Sequence, residues 1–499
     1  MNYEELISDF LALEGDAGQL IESFVLPDGI NVWPHLRIVM LRDLRFPEDR
    51  KYFTNNFNDK QNLYKSRFEL PPDYYRQLTS IPRGSCLFFS RRSRYVEKVR
   101  GMLYDPYLDP VVQEADRLQL NPIKIVFTQE EFPAYISPLC LPRFEIGRES
   151  LPSASMPQIP GYNEYAVLAL ERRIPVLHWR NVLNFYLKCM SHAEFFEKIL
   201  ALTQPKAVIL ECYYSPEFMG LAQACRKFGI PSVDYQHGKQ KPPHLAYSFK
   251  YMPKHGYDVL PEWFFAWGDV TAHNLRQCFA EQDFHKAAVA GKPAYISWKR
   301  GLLPEEQEQE QHFLKRIQGR IPLCVAFGAR DGEMIKTLEA AIAMSPPEWL
   351  WLLRQHPLNP QPEVANLAQH WPERTETAHS STLRLFTLLQ HCRHMVTGVS
   401  SCAIEALSLF NMEATCMKRS ALIVFADHIT GGNMRYAPTP ETVLESVKKG
   451  LANYPCSERG CAELTQDTTL LGNLLQNLMQ DISMQHADIK TDMHIEHNP

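Results

Sequence analysis

A chain of 499 residues is too long for one hydrophobic core, and it predicts two domains of ordinary size. Its apolar fraction of 45% and charged fraction of 22% are typical of a soluble globular protein. Because 52 Lys and Arg residues stand against 57 Asp and Glu residues, the net charge of −5 excludes a general electrostatic attraction to nucleic acid or to anionic membranes.

The N-terminal segment indicates where in the cell the protein is expected, and the cysteine spacing indicates whether it is expected to hold disulfides or a metal ion. The segment MNYEELISDFLALEGD is acidic and lacks the layout of a signal peptide, and no stretch approaches the roughly 18 apolar residues that cross a bilayer. We therefore expect a cytoplasmic protein. The twelve cysteines are scattered without a C-x-x-C pair, so we expect neither a disulfide framework nor a metal site.

Strand and helix patterns alternate along the first part of the chain. Residues 1 to about 85 have the patterns of helices and loops. Short apolar runs then predict strands at Cys86–Phe89, Ile123–Thr128, Ala207–Glu211, Ser232–Tyr235 and Phe264–Trp267. Helical patterns lie between several of these runs, which indicates a parallel sheet with helices on both faces.

A second set of α/β elements follows a polar region that begins near Trp267. Its predicted strands are Leu323–Phe327, Leu350–Arg354, Met395–Thr397, Ala414–Met417 and Leu422–Phe425. We predict a first α/β lobe over residues 1–270, a hinge over 271–320, a second α/β lobe over 321–450, and a C-terminal helix with a polar tail over 451–499. An amphipathic helix from Leu464 to Ile482 could pack on either lobe. Two such lobes form a cleft, where ligands often bind.

The unit from Ala207 to Gly238 places polar side chains at the ends of two neighbouring strands. Glu211 ends the first strand, and His237 follows the second. Ligands of open parallel sheets bind outside the carboxyl ends of the strands, so both side chains are candidates for one site. Glu211 is either a base or nucleophile, or a charge that satisfies the start of the next helix. His237 either positions a phosphate and exchanges a proton, or is structural.

The second predicted lobe offers groups that suit an anion. His356 follows a strand and precedes a proline, so its side chain points away from the sheet end. Gly398 opens a turn in which Ser400 and Ser401 precede a helix, and they either complete an anion site there or simply cap the helix. Glu405 is either the capping partner of Ser401 or a ligand for a ribose hydroxyl.

A weaker phosphate signal lies in the segment from Gly328 to Gly332, which follows a strand. It contains Arg330, but it is not a Walker loop, because the Lys-Ser/Thr ending is missing. The sequence has no Asp-x-Asp motif of a metal-dependent glycosyltransferase, and it lacks G-x-S-x-G, H-E-x-x-H and G-x-G-x-x-G.

Several short motifs, taken in order, resemble bacterial surface-polysaccharide glycosyltransferases of the GT-B type, in particular capsule-cluster proteins with a Q-H-G strand end. The motifs are DGINVWPHLRI, LYDPYLDP, QHG, FFAWGD, VAGKP, RQHP and TGVSSCAIEAL. The His-Pro and Ser-Ser pairs are also similar to those of bacterial sialyltransferases and Kdo transferases. The carboxylate-carboxylate-glycine motif of the sialyltransferases is absent, and Glu211-Cys212-Tyr213 stands at the strand end instead.

The resemblance implies a GT-B fold, with two Rossmann-like lobes whose parallel sheets face a central cleft. It implies that His356, Ser400 and Ser401 hold the donor phosphate and that Glu211 is base or nucleophile. From the residues themselves we also expect Arg330, Gly398 and Glu405 at the donor site. Because the second lobe has the better phosphate ligands, we expect His237 to position acceptor or donor.

The sequence thus predicts a metal-independent glycosyltransferase without a cofactor. Its expected partners are a nucleotide sugar, such as a CMP-linked acidic sugar, and a glycan or glycolipid acceptor of capsule or lipopolysaccharide synthesis. Nucleic acid is not expected, and peripheral association with the inner membrane or with an assembly complex stays open. The alternatives are a CDP-glycerol-type polyol-phosphate transferase, a nucleotide-sugar epimerase and an inactive GT-B scaffold.

Overall fold

The computed structural model describes residues 3–45, 63–142, 145–151, 158–238, 240, 244–299, 301, 304–328, 332–356, 360–398, 400, 402–418, 433–455, 464–465, 467 and 469–480. These residues form two α/β lobes. The predicted strand Leu422–Phe425 and the predicted site residues Arg330 and Ser401 lie outside the described residues.

The first lobe is built on a parallel sheet. The strands of this lobe are β1 (Leu63–Phe68), β2 (Cys86–Ser90), β3 (Glu97–Val99), β4 (Met102–Tyr104), β5 (Pro122–Phe127), β6 (Leu139–Leu141), β7 (Glu145–Leu151), β8 (Ala207–Glu211), β9 (Ser232–Tyr235), β10 (Trp263–Ala266) and β11 (Lys286–Val289). Two antiparallel pairs, β1–β7 and β3–β4, lie outside the main sheet. Within the described residues the main sheet has the order β11-β10-β9-β8-β2-β5-β6, and all neighbouring pairs are parallel.

Helices cover both faces of this sheet. They are α1 (Tyr3–Asp16), α2 (Gly18–Glu22), α3 (Trp33–Arg45), α4 (Pro72–Thr79), α5 (Asp109–Arg117), α6 (Tyr162–Glu171), α7 (Trp179–Thr203), α8 (Pro216–Lys227), α9 (Asp269–Cys278) and α10 (Pro293–Lys299). Strands β2, β8 and β9 are buried along their whole length, as expected for a sheet covered on both faces.

The second lobe repeats this plan with a parallel sheet in the order β14-β13-β12-β15-β16-β17 among the described residues. Its elements are α11 (Pro304–Ile317), β12 (Ile321–Ala326), α12 (Gly332–Met344), β13 (Trp349–Arg354), α13 (Pro362–His370), β14 (Thr375–Glu376), α14 (Ala378–Thr382), α15 (Leu385–Leu389), β15 (His394–Thr397), α16 (Cys402–Phe410), β16 (Ala414–Cys416), β17 (Met434–Tyr436) and α17 (Pro440–Ala452).

Two features bear on the predicted organisation. The first sheet continues past residue 270 to β11, a short, partly exposed edge strand without the apolar run of a central strand. A final helix, α18 (residues 470–480), returns to the first lobe, where Leu471 and Leu475 share a hydrophobic cluster with Val111 and Ile209.

Candidate functional site

A cleft with a cavity volume of about 230 Å³ lies between the strand ends of the two lobes. Residues that follow strands of both sheets line it. The first lobe contributes His237 after β9 and Trp267 after β10, and the second contributes His356 after β13 and Ser400 after β15. The carboxyl ends of the two parallel sheets therefore meet at one site, which is where ligands of such sheets bind.

The turn that carries His237 is fixed by the residue before it. The Gln236 side chain accepts a hydrogen bond from the backbone N–H of Trp267 at 2.6 Å, and it donates one to the carbonyl of Gly238 at 2.8 Å. Gln236 is 2% exposed, so these two bonds satisfy a buried amide. They join the ends of β9 and β10 and hold the imidazole at the cleft.

Burial favours the neutral form of His237. Burial lowers the pKa of its imidazole below the ordinary 6.5, while the negative charges of Glu211 and Asp234 oppose that shift. Its Nε2 lies 3.4 Å from the Tyr214 hydroxyl, and Nδ1 has no hydrogen-bond partner among the described residues. A neutral imidazole keeps one nitrogen that can accept a proton.

Glu211 ends β8 behind the cleft wall and is fully buried. One carboxylate oxygen accepts a hydrogen bond from Arg94 Nε at 2.6 Å, and the other has no partner among the described residues. The next residue, Cys212, has φ +64°, a left-handed conformation that is uncommon for a residue other than glycine. Glu211 is not among the residues that line the cleft, and its role as base or nucleophile stays a prediction.

A second buried carboxylate stands beside the first. Asp234 lies on β9, accepts hydrogen bonds from the Tyr213 N–H at 3.2 Å and the Tyr247 hydroxyl at 2.8 Å, and is fully buried. Burial raises its pKa to about 7, although the charge of His237 acts in the opposite direction. Sequence reasoning missed Asp234, because it occupies a strand interior, where an apolar residue is the usual choice.

In the second lobe, Arg354 at the end of β13 lines the cleft and also holds a neighbouring chain segment in place. Its guanidinium donates to the carbonyls of Ser380 and Leu383 at 2.8 and 2.7 Å. These bonds fix the chain segment that leads into Arg384, whose Nε lies 3.2 Å from a carboxylate oxygen of Glu306. His356 follows β13 by two residues and is half-buried in the cleft wall.

The segment after β15 has the geometry of a helix start. Ser400 Oγ accepts a hydrogen bond from the Cys402 N–H at 3.3 Å, so the capping role is present, and the same residue lines the cleft. Gly398 is buried, and its carbonyl accepts a hydrogen bond from Cys416 Sγ at 2.8 Å. Its place in a donor site, like that of Ser400, stays a prediction.

Glu405, on the first turns of α16, forms an ion pair with Lys292, which precedes α10. Its other carboxylate oxygen has no partner among the described residues, although the side chain is only 5% exposed. The Lys292 ammonium also lies 4.2 Å from the centre of the Trp267 ring. This pair joins the second lobe to the segment after β11 at the wall of the cleft.

Sequence reasoning missed three further cleft residues: Glu97, Lys292 and Arg384. Glu97 is on the short strand β3, and Arg384 lies between the short helices α14 and α15. Elements this short have no clear periodicity, and only tertiary packing brings these side chains to the cleft. For Lys292, the VAGKP turn gave a signal, but it indicated a boundary between lobes and not a charge in the cleft.

The described residues contain no group of three or more His, Cys, Asp or Glu side chains with the arrangement of a metal site. No helix within the described ranges is both long and apolar enough to cross a membrane.

The chain matches no protein-family model, and no curated protein matches it. Solved structures do resemble it. The S. aureus MnaA–UDP complex has a TM-score of 0.51 at 11% identity, over 80% of this chain and 97% of that one. The UDP-GlcNAc 2-epimerase of Neisseria meningitidis bound to UDP-GlcNAc has a TM-score of 0.50 at 12% identity, over 80% and 100%.

A wall teichoic acid polymerase, TagF, covers 90% of this chain and 98% of its own at 10% identity, with a TM-score of 0.46. At such identities the similarity to MnaA and to the Neisseria epimerase concerns the fold and leaves activity open. Together with the two parallel sheets that face one cleft, it shows that the chain has the GT-B fold of two Rossmann-like lobes.

Proposed function

We propose that this protein is a glycosyltransferase that moves a sugar from a nucleotide-sugar donor to a glycan or glycolipid acceptor of a surface polysaccharide. In this proposal the second lobe binds the nucleotide and phosphate of the donor, and the first lobe binds the acceptor. The acceptor class rests on the motif resemblance, and the division between lobes rests on the cleft.

The observation that carries the proposal is the set of unpaired polar atoms on the cleft wall. His237 Nδ1, Trp267 Nε1 and Glu405 Oε2 are buried without a hydrogen-bond partner among the described residues, and all three residues line the same cleft. Buried polar groups are normally paired, so a polar ligand that completes these groups is expected there. A nucleotide sugar offers hydroxyls and ring atoms of both donor and acceptor character.

The second lobe suits the phosphate of such a ligand. Arg354, His356 and Ser400 line one side of the cleft, and α16 begins beside Ser400. Fixed positive charge, hydroxyls and helix N-terminal amides stabilise the negative charge that develops on a leaving phosphate. In this proposal His356 and Ser400 hold the donor phosphate, as the motif resemblance implies.

The first lobe supplies the proton acceptor. In the proposed reaction an acceptor hydroxyl attacks the anomeric carbon, the bond between that carbon and the phosphate oxygen breaks with its electron pair, and the hydroxyl proton passes to neutral His237. The negative charge of Glu211 stabilises the imidazolium, because it raises the pKa of His237. General-base catalysis of this kind contributes about 10²- to 10⁴-fold. Closure of the cleft would keep water from the donor.

A polyol-phosphate transferase is the second candidate, because the His237 imidazole lines the cleft, whereas Glu211 is fully buried and does not. An imidazole base serves attack on phosphorus as well as attack on an anomeric carbon. A nucleotide-sugar epimerase would need the same nucleotide site, but it would consume a donor without an acceptor.

A donor screen tests the proposal. The purified protein is incubated with UDP-, GDP- and CMP-linked sugars and with CDP-glycerol, and thermal stabilisation and nucleotide release are measured with and without a polysaccharide acceptor extract. Thermal stabilisation grows with the logarithm of the ratio of ligand concentration to Kd. The nucleobase of the compound that stabilises the protein most is therefore the preferred one. Acceptor-dependent release from a nucleotide sugar supports the proposal. Release from CDP-glycerol supports the second candidate, and a protein that binds none of these compounds contradicts both.

A further inference from the structure

The hairpin β3–β4 of the first lobe places the Glu97 carboxylate beside the second lobe. Glu97 pairs with Tyr104 across the hairpin, and the turn between the strands uses left-handed backbone at Arg100, φ +52°, and Gly101, φ +75°. The Arg384 guanidinium lies 5.4 Å from the centre of the Tyr104 ring. Both Glu97 and Arg384 line the cleft, so the hairpin places the carboxylate at its second-lobe wall.

Glu97 faces charges from several elements packed around it. Arg354, Arg384 and Lys292 are close enough for their positive charges to act on its carboxyl, and the negative charge of Glu306 acts on it as well. The described residues place no hydrogen-bond or ion-pair partner on this carboxylate. Burial raises its pKa, and the three cations lower it by less.

The three cations near Glu97 have other partners. Lys292 is paired with Glu405, and Arg384 is paired with Glu306. Arg354 directs its guanidinium at two backbone carbonyls. Each positive charge is therefore already engaged by other acceptors, and Glu97 is a half-buried carboxylate without a hydrogen-bond or ion-pair partner among the residues that the structure describes.

We propose that binding of a nucleotide sugar in this cleft is coupled to the uptake of one proton by Glu97. This inference rests on the proposed function for the presence of the nucleotide. The incoming phosphates bring negative charge to the cations that face Glu97, and two like charges in one partly desolvated site cannot both stay ionised at low cost. The carboxylate takes a proton from solvent, and the resulting carboxyl O–H donates a hydrogen bond to a phosphate oxygen.

Proton uptake has a measurable consequence for affinity. When one proton binds together with the ligand, the association constant falls by up to about tenfold for each pH unit above the pKa of Glu97 in the free protein. Glutamine at position 97 is neutral at all pH values and donates a hydrogen bond without titrating. The Glu97→Gln protein should therefore bind the nucleotide sugar at pH 8.5 at least as tightly as the wild type, with a flat pH dependence.

Isothermal titration calorimetry tests this directly. UDP-glucose, GDP-mannose, CMP-N-acetylneuraminate and CDP-glycerol serve as probes, because their phosphate diesters keep a constant charge near neutral pH. Each titration is run at pH 7.5 in buffers of different ionisation enthalpy, which gives the number of protons taken up. The comparison uses the wild type, Glu97→Gln and the control Glu308→Gln, which changes an exposed glutamate on α11. Thermal midpoints of the three proteins check that the fold is intact.

The expected result is net proton uptake by the wild type and by Glu308→Gln, and none by Glu97→Gln. Nucleotide binding by the wild type without proton uptake, or unchanged uptake by a folded Glu97→Gln protein, overturns the inference and leaves the proposed function standing. Failure of the wild type to bind any of the probes overturns the proposed function and, with it, this inference.

Discussion

Glu211 and His237 differ in their access to the cleft: the carboxylate is fully buried and bonded to Arg94, whereas the imidazole lines the cleft. The two residues end adjacent strands of one sheet, and the charge of Glu211 raises the pKa of the histidine against the larger effect of burial. In the proposed function this carboxylate raises the pKa of the base, and the base itself contacts the substrate.

Replacement of His237 by alanine removes the proposed base. We expect kcat to fall by about 10²- to 10⁴-fold, because general-base catalysis contributes that much. Donor affinity should fall much less than kcat, since the proposed phosphate ligands belong to the second lobe. Steady-state kinetics and calorimetric binding measure the two quantities. His255→Ala, at a side chain that is 78% exposed, is the matched control and should leave both unchanged. Full activity of the His237→Ala protein would remove the histidine from the mechanism.

Replacement of Glu211 by glutamine separates two roles for this carboxylate. The proposed base works as a neutral imidazole, so activity falls as pH drops through the pKa of His237. Without the charge of Glu211 that pKa is lower, because burial then acts with less opposition. We expect the acidic limb of the kcat/KM profile to move to lower pH, with activity retained above it. Loss of activity at every pH, in a protein with a wild-type Tm, would instead assign Glu211 the direct role predicted from the sequence.

The sequence predicted the strands around this pair well, because their residues form short apolar runs that end in polar groups. Strands β8 (Ala207–Glu211) and β9 (Ser232–Tyr235) have the predicted bounds. The complete burial of Glu211 was not predictable from the sequence. The backbone of the next residue, Cys212, is left-handed, and a cysteine seldom adopts that conformation. Glu97 was missed for a related reason: a three-residue strand has no readable period, and its partners lie far away in the chain.

The ion pair between Lys292 and Glu405 stabilises the arrangement of the two lobes. Lys292→Met would leave the Glu405 carboxylate buried without its cation, and breaking such a pair costs about 3–5 kcal/mol. We expect a lower Tm for Lys292→Met, and partial recovery in the double variant Lys292→Met/Glu405→Gln, where the buried charge is gone.

A double-mutant cycle measured by chemical denaturation gives the coupling energy of this pair, for which we expect about 0.5–3 kcal/mol. The control is the cycle for Lys65 and Glu194, an ion pair whose side chains are 29% and 49% exposed. Solvent screens that pair, so its coupling should be at most about 1 kcal/mol. Equal coupling energies in the two cycles would contradict a special role for the pair at the cleft.

Calorimetric titration of the wild type and of His356→Ala with nucleotide sugars tests most directly whether the cleft is a donor site. Loss of a hydrogen bond to a charged phosphate costs about 1.5–3 kcal/mol, which corresponds to roughly 10- to 150-fold in Kd. The account predicts that the wild type binds one class of nucleotide sugar, and that His356→Ala binds it more weakly by that factor with an unchanged Tm. Equal affinity of the two proteins, or no binding by the wild type, would contradict it.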